Sequence, residues 1–189
     1  CVGKDDVPAA LVHAKMLSST EGWLEAARVH PDHKRKGMGT ALNHAGVEWA
    51  QSHGARVVRL ATEAENSAAR SQVEGLGYRL GSTWVVGLLE PEHDYISSAP
   101  NQLEASSSLD LDSAWMSWSS EDLALTGRGL LNVGWQWRKA TVADLEDAIA
   151  THRLYQSSAG WVMLRPDTPG NVETAWLSTS AAEFPLLLQ

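Results

Sequence analysis

The chain has 189 residues with 15 Lys or Arg and 23 Asp or Glu, which gives a formal net charge of −8 at pH 7. Hydrophobic residues make up 43% and charged residues 20%, a composition typical of folded domains rather than disordered chains. No apolar run approaches the ~20 residues that a transmembrane helix needs, so no membrane partner is expected. The single cysteine, Cys1, excludes an internal disulfide and a cysteine-rich zinc site. Because the chain begins with this cysteine and shows no signal peptide, we expect a fragment of a cytoplasmic protein.

The charge is distributed unevenly along the chain. Residues 1–79 contain ten basic and nine acidic residues, whereas residues 80–189 contain five and fourteen. A nucleic-acid-binding surface needs many cations to neutralise phosphates, so this composition predicts no nucleic-acid partner. The positive charge is concentrated in the run from His33 to Lys36. This run favours a small, compact anion as ligand.

The first 89 residues are predicted to form one α/β domain. The pattern gives the order β-β-β-α-β-α-β, with Gly54 ending the first helix, and so predicts a mixed central sheet flanked by helices. The predicted elements are the end of a strand, a turn at Lys4–Asp6, strands at Ala9–Met16 and Trp23–Val29, a helix at Gly37–His53, a buried strand at Arg56–Ala61, a helix at Asn66–Gly75 and a last strand containing Tyr78, Trp84, Val85 and Val86.

The rest of the chain is predicted to form a linker and a smaller α/β unit. Residues 90–113 are rich in Ser, Pro, Asn and acids, which predicts a linker before a unit at residues 114–189. Alternation along a strand would place Trp135 and Trp137 on one face, and the tryptophans of this half are expected to fill a core or an interface. The predicted elements are a helix at Leu111–Met116, a strand at Val133–Arg138, a helix after the N-cap Thr141, strands at Trp161–Leu164 and Val172–Leu177, and a helix at Ala181–Leu188.

A basic, glycine-containing segment joins the second strand to the first helix. Gly37 and Gly39 lead into the helix, where the first backbone N–H groups have no intrahelical partner and the helix dipole favours negative charge. The segment therefore predicts a site for a diphosphate. It is not a Walker A loop, and Leu42 stands where a dinucleotide-binding fingerprint needs its third glycine. The structural alternative is a helix start with turning glycines and a solvated basic face.

Two blocks of residues resemble the GCN5-related N-acetyltransferases, the GNAT superfamily. The segment Lys34-Arg35-Lys36-Gly37-Met38-Gly39 is similar to their acetyl-CoA loop, which reads Gln/Arg-x-x-Gly-x-Gly/Ala. The resemblance covers residues 1–89 and implies the GNAT acyl-CoA N-acyltransferase fold, with its first strand and helices missing before Cys1. It also implies acetyl-CoA as cosubstrate. The second block consists of Asn66, Ala69, Val73, Gly77 and Tyr78.

The resemblance implies roles for particular residues. In these enzymes a neutral amine attacks the thioester directly, and a carboxylate or a water chain accepts the amine's proton. Glu25 is the candidate base, because alternation along the strand places it on the same side as Val29, whose backbone N–H would stabilise the oxyanion. A surface carboxylate is the structural alternative for Glu25, as an N-cap is for Asn66. The implied acetyl-CoA contacts are Val29, Lys34, Arg35, Lys36, Gly37, Met38, Gly39, Thr40, Asn66 and Ala69.

Two residues depart from the family pattern. Lys34 keeps the charge but lacks the planar fork of an arginine. Val73 stands where many members place the tyrosine that protonates the departing thiolate, and Tyr78 is expected to pack in the core. A thiol with a pKa near ~8.5 is a fair leaving group without an acid.

The functional interpretation keeps three alternatives. The first is an N-acetyltransferase acting on a small-molecule or protein amine, the second is an inactive GNAT-like acyl-CoA-binding or regulatory module, and the third is a nucleotide-phosphate binder. No metal site is expected, because His30 and His33 lie in a turn with no third ligand nearby. Residues 137–145 resemble the opening of a GNAT domain, which predicts a degenerate unit without a CoA site. That unit could complete a fold, shape the acceptor pocket or form a homodimer contact.

Overall fold

The computed structural model describes residues 7–87, 103–158, 160–166 and 172–179. The chain divides into two compact units, Cys1–Leu80 and Gly81–Gln189, which are described one at a time. Two predicted elements, the turn at Lys4–Asp6 and the helix at Ala181–Leu188, lie outside the described residues.

The first unit is built on a mixed three-stranded sheet in the order β1-β2-β3. β1 and β2 are antiparallel, whereas β3 runs parallel to β2. The predicted strands at 9–16, 23–29 and 56–61 and both predicted helices are therefore confirmed, with the third strand shorter than expected. The elements are β1 (Ala10–Met16), β2 (Glu21–Val29), α1 (Met38–Ser52), β3 (Val57–Arg59) and α2 (Ser67–Gly75).

Helix α1 packs directly on one face of β2. A Cβ atom at Gly22 would lie 2.8 Å from the Cβ of Ala50, and one at Gly46 would lie 2.8 Å from a methyl carbon of Leu24. The later residues of α1 thus face the earlier residues of β2, so the helix runs back along the strand. The first turn of α1 consequently lies at the end of the sheet where β2 finishes.

The pairing of β1 with β2 contains a β-bulge. The register shifts between the pairs Leu11–Arg28 and His13–Glu25, so two residues of β2 face a single residue of β1. Ala26, inside the bulge, has a φ of 54°. The extra residue reverses the alternation of side chains beyond it.

This bulge corrects one sequence-based expectation about Glu25. The pairing places Leu24 and Val29 on the α1 face of the sheet and Glu25 on the opposite face. Simple alternation, which put Glu25 and Val29 on one side, is therefore wrong here. The cause is the inserted residue, which the strand accommodates through the left-handed conformation of Ala26.

The strand expected around Tyr78 and Trp84–Val86 is not present, since residues 78–87 form neither strand nor helix. Val85 is 96% exposed, so this run lacks the buried face that would hold it against a sheet. β3 pairs only with β2 among the described strands, and Val57 is 44% exposed rather than buried. The expectation of a buried strand is therefore wrong for β3.

The second unit contains an antiparallel four-stranded sheet, β4-β7-β8-β9, and a hairpin of β5 and β6. The helix after Thr141 and the strands at 161–164 and 172–177 are confirmed. The elements are β4 (Glu104–Ala105), α3 (Leu111–Ser120), α4 (Asp122–Thr126), β5 (Leu130–Asn132), β6 (Trp137–Lys139), α5 (Val142–Ala150), β7 (Leu154–Ser157), β8 (Gly160–Pro166) and β9 (Val172–Thr179).

Tryptophans and small residues fill the core of this unit. Trp118 and Trp176 meet edge to face at 5.5 Å, and Ala114 and Ala148 are fully buried where α3 and α5 pack. Such a core agrees with the expectation that the tryptophans pack rather than bind ligands.

Two expectations for this half are corrected. The strand at Val133–Arg138 is a hairpin instead, in which Trp135 lies in the turn at a φ of 60°. Trp135 is 63% exposed and Trp137 only 8%, so the two do not share a face. The composition of 90–113 suggested a linker throughout, yet residues 104–113 contain β4, a 3-10 turn and the start of α3.

The start of α5 shows how local chemistry fixes a helix. Thr141 and Asp144 form a reciprocal capping box, and Arg138 binds the same carboxylate. Burial alone would raise the pKa of Asp144, but its hydrogen bonds from Arg138 and Thr141 outweigh this and hold that pKa below its usual value. Thr141 is therefore the N-cap that the sequence predicts.

Candidate functional site

The segment between β2 and α1 forms a tight basic turn. Pro31–His33 make a single 3-10 turn, and the N–H of Lys34 donates to the carbonyl of Pro31 at 3.2 Å. The ammonium group of Lys36 donates to the carbonyl of Asp32 at 2.7 Å. These bonds fold the segment back on itself before the helix begins.

Two left-handed residues then direct the chain into α1. Arg35 has a φ of 58° and Gly37 a φ of 79°. Gly37 is the N-cap of α1. Among the described residues, no side chain or distant backbone atom lies within 4 Å of where its Cβ would be, so the glycine is required by its conformation rather than by crowding. The glycine at position 37 therefore marks the point at which the backbone turns from the basic segment into α1.

The N-terminus of α1 is an electropositive backbone surface. In the part of the chain that the structure describes, no side chain caps the first turn of this 15-residue helix. The N–H groups of Met38, Gly39 and Thr40 thus lie at the positive end of the helix dipole. Lys34, Arg35 and Lys36 are exposed beside them. This arrangement is suited to an anion with several oxygens.

A side chain from α2 closes one side of this surface. A Cβ atom at Gly39 would lie 2.6 Å from Nε2 and 3.3 Å from Oε1 of Gln72, so the side-chain amide rests directly against the glycine. Gln72 brings two N–H donors to the loop. The sequence analysis missed this residue, because no motif marks it and only the packing of α2 beside α1 reveals it.

Asn66 caps the N-terminus of α2. Its side-chain oxygen accepts the N–H of Ala69 at 3.1 Å. The structural role predicted for Asn66 is confirmed, while a cofactor contact by Asn66 or Ala69 stays a prediction. The amide nitrogen of Asn66 takes no part in this capping bond.

The backbone of Val29 is directed away from β1. The N–H of His30 donates to the carbonyl of Ala9 at 2.8 Å, so alternation along the antiparallel ladder makes Ala10 and Val29 a pair without mutual hydrogen bonds. The N–H of Val29 therefore points toward the side on which β3 lies. β3 pairs with β2 only at Glu21–Trp23, so this N–H lies beyond the end of their ladder. The oxyanion role needs this orientation, and the role itself stays a prediction.

Glu25 is the centre of a polar cluster on the sheet face opposite α1. Its Oε2 accepts the indole N–H of Trp23 at 2.9 Å, and its Oε1 lies 2.8 Å from Nδ1 of His13. An ion pair of Glu21 with Arg59 occupies the same face. The sequence analysis did not single out His13, and the signal that could have found it is its position opposite Glu25 across two adjacent strands.

Tyr78 packs against α1. Its hydroxyl donates to the side-chain oxygen of Asn43 at 3.3 Å. Burial raises the pKa of Tyr78 above its ordinary value, and the bond to Asn43 offsets only part of this. The phenol therefore stays protonated at neutral pH, as expected of a packing residue. Val73, on α2, is half-buried and offers no proton.

Neither a metal site nor a membrane-spanning helix is found among the described residues. His30 and His33 stack edge to face at 5.8 Å within the basic turn. Across residues 7–87, 103–158, 160–166 and 172–179, no three His, Cys, Asp or Glu side chains form a group that could hold a metal ion. Nor does any helix within these ranges have the length and hydropathy to cross a bilayer.

The family assignment rests on the first unit. Residues 1–78 match the family model described as Acetyltransferase (GNAT) family. This part of the chain is therefore a GNAT acetyltransferase domain, and the mixed α/β fold predicted for it is confirmed. The match ends at residue 78, so the degenerate GNAT-like character of the second half stays a prediction.

Solved structures that are similar to part of this chain include acetyltransferases. The aminoglycoside acetyltransferase AAC(6')-Iy, in complex with a CoA-containing bisubstrate analogue, is 21% identical with a TM-score of 0.43, covering 47% of this chain and 66% of its own. A transcriptional regulator from Bacillus halodurans is 20% identical with a TM-score of 0.42, covering 47% and 62%. AAC(6')-IG from Acinetobacter haemolyticus is 20% identical with a TM-score of 0.40, covering 48% and 68%. This chain thus spans less than two thirds of the first two. No curated protein sequence gives a significant match.

Proposed function

We propose that the GNAT domain binds acetyl-CoA and transfers its acetyl group to an amine by direct attack, as an N-acetyltransferase. The observation that carries this proposal is the N-terminus of α1, which has no side-chain cap among the described residues and stands behind the exposed cations Lys34–Lys36. Within a GNAT domain, such a surface is suited to the diphosphate of the cosubstrate.

This geometry supports a particular set of cosubstrate contacts. The N–H groups of Met38, Gly39 and Thr40 would hold the diphosphate, with charge supplied by Lys34, Arg35 and Lys36. The amide of Gln72 would add a neutral donor from α2. Asn66 and Ala69 would contact the pantetheine arm, since they form the first turn of α2.

The chemistry proposed for the chain uses backbone and side-chain groups of β1 and β2. The amine nitrogen attacks the thioester carbon, and the N–H of Val29 donates to the oxyanion that forms. Glu25 is the candidate base, whose carboxylate attracts the ammonium group and accepts its proton. The C–S bond then breaks, and CoA leaves as a thiolate that no tyrosine at position 73 protonates. A thiol with a pKa near ~8.5 leaves without such an acid at a lower rate.

A second candidate function is a GNAT-like module that binds acyl-CoA without catalysis. Val73 favours it, because a residue that could protonate the thiolate is missing from that position of α2. The two candidates share the diphosphate site and differ only in turnover.

Release of free thiol from acetyl-CoA tests the proposal. We expect the intact chain to release thiol in the presence of at least one amine from a panel of a polyamine, an aminoglycoside and a lysine-containing peptide. Mass spectrometry of the amine should show the acetylated product, and a reaction without amine measures hydrolysis. Binding of acetyl-CoA with no thiol release above that background for any amine would contradict the transferase and support the inactive module.

A further inference from the structure

The polar cluster around Glu25 contains a histidine that the proposed chemistry has not yet used. His13, on β1, lies directly opposite Glu25 on β2, with Nδ1 and Oε1 2.8 Å apart. The side chain of His13 is 56% exposed, whereas that of Glu25 is 32% exposed. The imidazole is therefore the more exposed member of this pair on the sheet face opposite α1.

The contacts of Glu25 determine which nitrogen of His13 carries the proton. An ionised carboxylate can only accept hydrogen bonds, so Nδ1 must be the donor in the bond to Oε1. In a neutral imidazole the other nitrogen, Nε2, then holds an unprotonated lone pair. Glu25 thus selects the tautomer in which the outer nitrogen of His13 is a base.

Glu25 is also held from its other side. Oε2 accepts the indole N–H of Trp23, a side chain that is 2% exposed. Hydrogen bonds to both carboxylate oxygens stabilise the ionised form and fix its orientation. These contacts indicate that Glu25 serves as a fixed, ionised partner of His13 and does not itself take up and release the proton.

We propose that Nε2 of His13 accepts the proton of the acceptor amine, and that Glu25 is the positioning residue that orients and charges it. This inference rests on the proposed N-acetyltransferase function. It divides between two residues the role that sequence reasoning assigned to Glu25 alone.

The strands fix how far His13 lies from the Val29 N–H. Val29 pairs with Ala10, and His13 follows Ala10 by three residues, which at about 3.3 Å per residue is roughly 10 Å along β1. Because this N–H points toward the side on which β3 lies, His13 is across β2 from it. The proposed transfer therefore runs from the amine to Nε2 through a chain of water molecules.

The proton and bond changes balance without any further reactant. His13 takes one proton from the ammonium, and the neutral amine forms the N–C bond. The C–S bond breaks as the oxyanion collapses, and the second proton of the nitrogen passes to the thiolate. The products are an amide and free CoA, and His13 returns its proton to water.

Other charges on this face also influence His13. In the described part of the first unit they are Lys15 on β1, Glu21 and Arg28 on β2, and Arg59 on β3. Glu21 and Arg59 are paired with each other, so Glu25 is the carboxylate that contacts the imidazole.

Three substitutions separate the roles through the pH dependence of kcat/KM. The activity of the unaltered protein should show an acidic limb, falling as the pH is lowered, because the proposed base must be unprotonated to accept a proton. His13→Gln should lower kcat roughly 100-fold or more and remove this acidic limb. Glu25→Gln should lower kcat less than His13→Gln does and should keep the limb, because the imidazole that accepts the proton is still present. His44→Gln, an exposed histidine on α1, is the matched control and should change neither property.

The opposite results would overturn the inference. If Glu25→Gln abolishes the limb while His13→Gln retains it, Glu25 is the base. A side-chain ¹H–¹⁵N NMR spectrum gives a readout that does not depend on turnover, and the Nδ1–H tautomer of His13 is expected. An Nε2–H tautomer would contradict the inference even in an active enzyme, whereas the expected tautomer with no thiol release would instead contradict the proposed function.

Discussion

Asn66 shows how a single residue can hold two roles. Its oxygen caps α2 through the N–H of Ala69, while its amide nitrogen takes no part in that bond. A cap can be supplied by any short side chain with an acceptor oxygen, but donation to a pantetheine carbonyl needs the amide. The structural and the binding role are therefore separable by mutation.

Asn66→Asp should separate them. Aspartate caps a helix as well as asparagine does, so the free energy of unfolding should stay nearly unchanged, whereas acetyl-CoA should bind more weakly. Asn66→Ala should lower both, with a loss of stability of about 1 kcal/mol. Urea unfolding and calorimetric titration with acetyl-CoA measure the two effects. Equal affinities of Asn66→Asp and the unaltered protein would exclude a contact of the amide with the cosubstrate.

Glu25 marks the limit of what sequence alone predicts for single residues. Its place in β2 and its proximity to Val29 along the chain were predictable, but its sheet face was not. The β-bulge determines the sheet face of Glu25. It contains alanines and no glycine, so the residue types do not predict the left-handed conformation at Ala26. His13 and Gln72 were missed for a related reason, because each belongs to the site only through packing between elements.

At the scale of elements, periodicity predicted the helices well. α1, α2 and α5 each carry an apolar stripe and end signals such as Gly54, Asn66 and Thr141, which act locally. The wrong predictions were strands, expected from segments of β-branched and aromatic residues. Residues 84–86 and 133–136 contain strand-forming side chains, but a strand also needs a second strand with which to pair. In residues 133–136 the left-handed conformations of Gly134 and Trp135 form the turn of a hairpin instead.

The packing of α1 on β2 leads to a prediction about two glycines. Gly22→Ala should destabilise the protein by about 1 to 3 kcal/mol, because its new methyl group would meet the Cβ of Ala50, which cannot rotate away. Gly46→Ala is the matched comparison, since its methyl group would meet the end of the buried Leu24 side chain rather than a Cβ, and alanine favours helix by about 1 kcal/mol. It should therefore destabilise the protein less than Gly22→Ala does.

Urea unfolding followed by tryptophan fluorescence measures both substitutions. Trp23 reports on this part of the sheet because it is buried on β2 beside Gly22. An unchanged stability of Gly22→Ala would show that α1 does not lie as closely on β2 as described. In that case the position of the loop at the start of α1 would also be in doubt.

At the scale of the whole molecule, the sequence shows a change in charge after residue 79, from a nearly neutral to an acidic half. The structure divides the chain into Cys1–Leu80 and Gly81–Gln189, and the GNAT match ends at residue 78. The basic loop before α1 was predictable because its chemistry is local, being a strand end, a basic turn and glycines before a helix. The acceptor was not predictable, because specificity for an amine comes from surfaces that several segments build together.

The central claim is that the loop at the start of α1 binds the diphosphate of acetyl-CoA, and calorimetric titration tests it most directly. The double variant Lys34→Gln, Arg35→Gln should bind acetyl-CoA at least about tenfold more weakly, corresponding to roughly 1.4 kcal/mol. The same variant should bind S-acetylpantetheine, which lacks the diphosphate, as the unaltered protein does. Arg56→Gln is the charge control, because Arg56 precedes β3 beside the start of β2, at the opposite end of the strand from the loop. Equal affinity of the double variant and the unaltered protein for acetyl-CoA would contradict the claim.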